Sequence, residues 1–212
     1  LYTATTGGGN TAVGAASMYA TTGIDNVAVG ASTLRFNTSG ASNVAMGLKA
    51  LYSNTTASES TAVGYRSLYT NTTGSTNTAF GHSALESNTT GGINTAMGHR
   101  SMVVNTTGAN NVGIGGYALS ANTTATGNTA VGYQAGLSNT TGAAIVCVGL
   151  DAGKFNTTGG TSTFVGASAG KGLTSVKTTG SNNTCIGSGA GLTLQGAGNA
   201  NTFLGSDAGD ST

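Results

Sequence analysis

The feature that most limits how this chain can fold is a glycine that returns behind a bulky apolar residue. It stands at Gly14, Gly30, Gly47, Gly64, Gly81, Gly98, Gly115, Gly132, Gly149, Gly166, Gly187 and Gly205. The steps between these anchors are 16, then eight of 17, then 21 and 18 residues. Such a period marks a repeat architecture, in which one short unit cannot bury its apolar side alone and stacks on its neighbours. The surrounding columns also keep their character. Before the glycine stand Val13, Val29, Met46, Val63, Phe80, Met97, Ile114, Val131, Val148, Val165, Ile186 and Leu204. One place earlier alanine prevails, as in Ala12 and Ala28, until Cys147, Phe164, Cys185 and Phe203 appear. Three residues after the glycine comes Ser, Thr or Ala. Next comes Met18, Leu34, Leu51, Leu68, Leu85, Met102 or Leu119, and then Gly136, Gly153, Gly170, Gly191 and Gly209.

The segment Asn-Thr-Ala-Val-Gly suits a short strand, and Asn-Thr-Thr-Gly suits a turn in which glycine supplies a positive φ. Glycine recurs too often for a helix, and Thr and Asn are poor helix-interior residues. The expected fold is therefore all-β: a parallel β-solenoid, or β-roll, of about twelve 17-residue coils stacked at about 4.8 Å. Residues 1–212 read as a single repeat domain, with one longer coil at 167–187. The twelve bulky residues before the anchors are the predicted core ladder, with Ala, Ser and Gly fitting where the walls approach closely. The change from Leu to Gly after Leu119 predicts an altered cross-section that Phe164 and Phe203 refill.

Composition narrows the function. Only 6% of residues are charged, against roughly 25% in ordinary soluble domains. Proline is absent and the apolar residues keep strict register, which argues for order over disorder. Seven basic residues spread along a chain of net charge +1 make no phosphate-binding patch, so nucleic acid is not an expected partner. No apolar run reaches the length of a membrane span, so membrane insertion is not expected. No signal peptide is visible either. The chain opens on Leu1 in mid-repeat and closes on Thr212, and neither end carries a polar cap. That is the pattern of a segment of a longer fibre, or of copies that stack end to end.

Asparagine fills two columns. Asn10, Asn26, Asn43, Asn77, Asn94, Asn111, Asn128, Asn183 and Asn201 precede the strand. Asn37, Asn54, Asn71, Asn88, Asn105, Asn122, Asn139 and Asn156 open the turn. Stacked asparagines can bond side chain to side chain as in cross-β assemblies. Each member of the second column is also an Asn-x-Ser/Thr glycosylation acceptor. The ladder is the favoured reading, because the turns need asparagine anyway. His82 and His99 share a column but lack the further ligands of a metal site. Asp151, Asp207 and Asp210 are too sparse for a repeated calcium motif. Cys147 and Cys185 lie two coils apart, roughly 10 Å and beyond disulfide reach, and read as small buried residues. No nucleophile elbow, phosphate loop or carboxylate pair is visible. Neither an enzyme, a cofactor nor a metal centre is expected.

The pattern Asn-Thr-Ala-Val-Gly-Tyr-Gln-Ala at Asn128 to Ala135 resembles the repeats of trimeric bacterial adhesin heads and phage tail fibres. That resemblance covers nearly the whole chain. It implies a left-handed parallel β-roll, three chains around one axis, and an endosialidase-type folding chaperone beyond Thr212. In a trimer, the Ser/Thr/Ala column is one candidate for close inter-chain packing, the other reading being that it lines the coil. The function expected on this resemblance is a structural or binding segment of an extracellular fibre, on a virion or cell surface. Such a segment forms a rigid shaft or a receptor-binding head, and exposed Tyr65, Tyr117 and Tyr133 are available to a glycan or receptor. A filament subunit stacking end to end is the alternative. An ice-binding solenoid ranks last, because Val27, Val44, Val112 and Val146 interrupt the threonine column.

Overall fold

The computed structural model describes Thr3–Ala4 and residues 7–210. Among them every regular element is a strand. The chain divides into two compact units, Leu1–Thr107 and Gly108–Thr212. In the first, β1 (Thr3–Ala4) pairs in parallel with β3 (Ala20–Thr21). Strands β2 (Thr11–Val13), β4 (Val27–Val29), β5 (Val44–Met46), β6 (Thr61–Val63), β7 (Thr78–Phe80) and β8 (Thr95–Met97) pair in that order, all parallel. The second unit repeats the plan. It stacks β9 (Val112–Ile114), β10 (Thr129–Val131), β11 (Val146–Val148), β12 (Thr163–Val165), β13 (Thr184–Ile186) and β14 (Thr202–Leu204). Thr61 faces Thr78 and Ala62 faces Ala79, so one repeat advances one strand. Each unit is an all-β parallel solenoid, as its repeat requires.

A coil owns only three residues of strand, yet its whole circumference is bonded to its neighbours. In the coil around Gly64, the amides of Gly64, Arg66 and Thr76 donate to Met46, Leu48 and Ser58 on one side, at 2.8, 3.1 and 3.0 Å. Those of Leu68, Thr70 and Thr72 donate to Ala84, Glu86 and Thr89 on the other, at 3.0, 3.0 and 2.9 Å. Backbone polar groups in a narrow ring have little else to bond. The anchor glycines answer to the same crowding. Gly64 has φ 132°, and a methyl group on it would lie 2.5 Å from the Gly81 carbonyl oxygen.

The interior is filled from two columns. The middle residue of each strand points inward: Ala28, Ala45, Ala62, Ala79, Ala96 and Ala130 are fully buried. So are Met18, Leu34, Leu51, Leu68, Leu85, Met102 and Leu119. The predicted core ladder is thereby corrected. Val13, Met46, Phe80, Met97, Ile114, Ile186 and Leu204 are exposed, and Val29, Val63, Val131, Val148 and Val165 only half-buried. Successive strand residues point to opposite faces, and opposite the leucine column only alanine fits inside. The Ser/Thr/Ala column is also enclosed: Ser17, Thr33, Ala50, Ser67 and Ala84 are buried within the chain. It lines the coil and offers nothing to a partner.

The leucine column sits at a left-handed corner, with φ 48° at Leu51 and 50° at Leu68. Bulky residues seldom adopt that conformation. The later coils put Gly136, Gly153 and Gly170 there, at φ 58°, 58° and 53°. The vacated space is refilled across the ring by Ile145, Cys147 and Phe164, all fully buried. A methyl group on Gly153 would meet Phe164 Cδ2 and Cys147 Sγ, each at 2.7 Å. Phe164 thus replaces the leucine from the opposite wall, and the expected refilling is observed. The 21-residue step absorbs its extra residues after Gly170, and Thr178 then bridges to Asn156 and to Gly196.

Two predictions follow from this packing. Leucine at position 170 collides with the Phe164 ring, so Gly170→Leu lowers stability by about 1–3 kcal/mol. Phe164→Ala costs about 3–5 kcal/mol. The double variant restores the arrangement of the earlier coils and is more stable in urea than additivity allows. Burial pushes the Cys147 thiol up to about 12 and the Cys185 thiol up to about 11. An unfolded chain ionises both near pH 9, whereas the folded chain keeps them neutral, so ionisation favours unfolding. The melting temperature therefore falls between about pH 9 and pH 11–12, and falls less steeply in Cys147→Ala, as a pH series in reductant reads directly.

Candidate functional site

Both asparagine columns lie inside the coils, with Asn10 and Asn201 at the two ends half-buried. All eight residues from Asn37 to Asn156 in the turn column are fully buried. Asn54 Nδ2 donates to Asn37 Oδ1 at 2.7 Å, Asn88 Nδ2 to Asn71 Oδ1 at 2.7 Å, and Asn105 Nδ2 to Asn88 Oδ1 at 2.9 Å. The same amides close their own turns, as when Asn88 Nδ2 donates to the Gly91 carbonyl at 2.8 Å. The strand-side column has such rungs too, as from Asn43 Nδ2 to Asn26 Oδ1 at 3.1 Å, and adds bonds to the backbone of neighbouring coils. Asn43 Oδ1 accepts from the Ser60 amide of the next coil at 3.0 Å, while Asn43 Nδ2 donates to the Ala57 carbonyl at 2.9 Å. The ladder reading holds. The glycosylation reading of Asn37, Asn54, Asn71, Asn88, Asn105, Asn122, Asn139 and Asn156 fails in the folded chain, because the nitrogen that would carry the sugar is enclosed and bonded. The last rung runs from Asn139 Nδ2 to Asn122 Oδ1 at 3.1 Å; Asn139 Oδ1 and Asn156 Oδ1 accept no hydrogen bond, and in the longer coil Lys177 and Thr178 follow in place of asparagine.

With the polar columns enclosed, the surface carries two ordered stripes in the first unit. One is the outward face of the strands, where Val13, Val29, Met46, Val63, Phe80 and Met97 succeed one another with Thr or Val two residues before each. The second unit has its own such face, with Ile114, Val131, Val148, Val165, Ile186 and Leu204. No charged residue enters either face. Contiguous apolar surface, exposed or half-buried as here, is a candidate for interaction. Its residues are the bulky apolar column that size alone assigns to the core.

The other stripe is aromatic and cationic. Phe36 meets Tyr52 edge to face with ring centroids 5.0 Å apart, and Tyr52 stacks on Tyr69 at 5.1 Å. The Arg66 guanidinium lies 4.3 Å from the Tyr69 centroid and pairs with Glu86 at 2.8 Å. Tyr65, His82 and His99 follow one another at 5.0 and 5.3 Å. Both histidines are exposed, and no group of three or more metal-ligating side chains occurs among the described residues. Tyr133 is exposed, and Tyr117, half-buried, meets it edge to face at 6.1 Å. Cys147 and Cys185 are buried free thiols, as expected.

Comparison with protein-family models, with curated proteins and with solved structures gave no match.

The two readings of the turn asparagines separate experimentally. Asn88→Ala takes away the donor to Asn71 Oδ1 and the acceptor of Asn105 Nδ2, leaves the Gly91 carbonyl to Asn77 alone, and lowers stability by about 3 kcal/mol. Thr90→Ala destroys the same Asn-x-Thr motif from an exposed position and changes stability by less than about 0.5 kcal/mol. Denaturant unfolding of both variants measures the contrast.

Proposed function

We propose that this chain is a structural and binding segment of an extracellular fibre of the tail-fibre or adhesin kind, and that it assembles as a homotrimer. The observation that carries the reading is the uncharged apolar face along the strands of each unit. Each coil fills its core from the inner strand residue and the corner column, with alanine and leucine or with cysteine or phenylalanine and glycine, so the outward Val, Met, Phe and Ile side chains are left over. Apolar surface ordered in this way gains by leaving water. A second and third copy carry the same face at the same spacing, which permits contact in register over every coil. The number three comes from the resemblance of Asn128 to Ala135 to adhesin-head and tail-fibre repeats. Low charge elsewhere suits a structural element on a virion or cell surface.

Light scattering over a range of concentrations tests this. A mass of three chains, independent of concentration, supports the trimer, and a mass that climbs with concentration supports end-to-end filaments instead. A persistent monomer overturns both. In the trimer, Phe80→Glu and Val131→Glu each lower the native mass while the circular dichroism of the folded coil is kept.

A further inference from the structure

In solenoids, inserted residues gather on loops that depart from the repeat, and these are often where binding resides. The 21-residue step is the longest departure in this chain, and three of the seven basic residues, Lys154, Lys171 and Lys177, lie in or beside it. The insertion opens a cleft of about 370 Å³ in the second unit, lined by Lys154, Phe155, Lys171, Leu173, Leu192 and the two threonines Thr174 and Thr193. That volume lies within the range of small-ligand sites. Gly172 forms part of the lining and is itself buried at φ 71°. A methyl group there would lie 2.8 Å from Thr178 Oγ1 and 3.5 Å from Phe155 Cβ, so no larger residue fits.

The charges in the cleft do not balance. Lys171 Nζ lies 3.0 Å from Asp151 Oδ2, and Lys154 Nζ lies 3.3 Å from the same carboxylate. Two ammonium groups thus share one carboxylate, whose Oδ1 accepts no well-directed hydrogen bond. Lys154 Nζ also sits 5.4 Å from the Phe155 ring centroid. Both lysines are only partly exposed, at 18% and 29% of their side chains. Their unused donors therefore face a site where an anion meets less competition from water than on an open surface. Beside them stand an aromatic ring, two leucines and two threonine hydroxyls.

We infer that this cleft binds a carboxylate-bearing sugar, of the hexuronate class. The carboxylate bridges Lys154 and Lys171, the apolar side of the sugar ring packs on Phe155 and Leu192, and its hydroxyls bond Thr174 and Thr193. Asp151 has a definite part: it holds both ammonium groups in place and competes with the ligand for them. The inference extends the fibre reading by naming a ligand class, but it rests on one unit of one chain and does not require a trimer.

Saturation-transfer difference NMR on the full chain at low salt tests it, with glucuronate as probe, and glucose and acetate as comparisons. Glucuronate is expected to show saturable transfer that neither comparison shows. Lys154→Gln with Lys171→Gln weakens binding by about tenfold or more, the scale of lost charge-assisted bonds. Asp151→Asn tightens it several-fold, because asparagine tolerates the positive φ of that position and frees both ammonium groups. A weakening in Asp151→Asn with an unchanged melting temperature overturns the assigned role of Asp151. Equal transfer to glucose or acetate overturns the ligand class, and no transfer to glucuronate overturns the site. Native mass, read separately by light scattering, keeps a failure of this inference distinct from a failure of the trimer.

Discussion

Everything in this structure depends on the backbone amides that run from one coil to the next. A ring of 17 residues leaves little room for strand, and beyond the short pair β1–β3 only three residues per coil qualify. Many of the remaining amides still donate to a neighbouring coil, as those of Leu68, Thr70 and Thr72 do, while others such as Asn71 close a turn within their own. An unpaired backbone group inside such a ring would cost about as much as a lost buried hydrogen bond. The repeat is therefore not a decoration of the fold. Each coil supplies the acceptors that its neighbour cannot supply for itself.

The same constraint explains the polar interior. Where the backbone turns, its amides and carbonyls leave the ladder, and asparagine replaces the missing partners. It is short, carries a donor and an acceptor, and repeats at the spacing of the coils. Asn88 gives to Asn71 and to Gly91 and receives from Asn105. Ser60 stands in the strand-side column and still accepts the Asn77 amide at 3.2 Å. Buried polar networks are favourable when every member is satisfied and costly when one is not. The turn column loses its rungs on the approach to the longer coil, where Oδ1 of both Asn139 and Asn156 is unbonded.

Filling the ring leaves two choices, and the chain uses both. A leucine can be held in a left-handed corner against an alanine in the strand, or a glycine can relax that corner while phenylalanine or cysteine reaches across. Either way the strand's outward residue has no place inside. The apolar faces, the aromatic stripe and the cleft of the longer coil are all consequences of what a closed ring excludes. Functional surfaces on a solenoid are in this sense the remainder of its packing.

The sequence by itself determined the period, the all-β parallel stacking, the longer coil and the asparagine ladder. Identical residues at a fixed spacing must lie above one another, whatever the details of the ring. It also showed that Cys147 and Cys185 are too far apart to join. What only the tertiary structure decided is the direction in which each side chain points. In a three-residue strand such as Thr61–Val63 the alternation is too short to reveal its inner face, and both Ala62 and Val63 are apolar. Size suggested the valine column as the core. The corner leucine, brought across the ring by a left-handed turn that no local preference announces, takes that volume first. Alanine is what remains to fit beside it, and valine is turned outward.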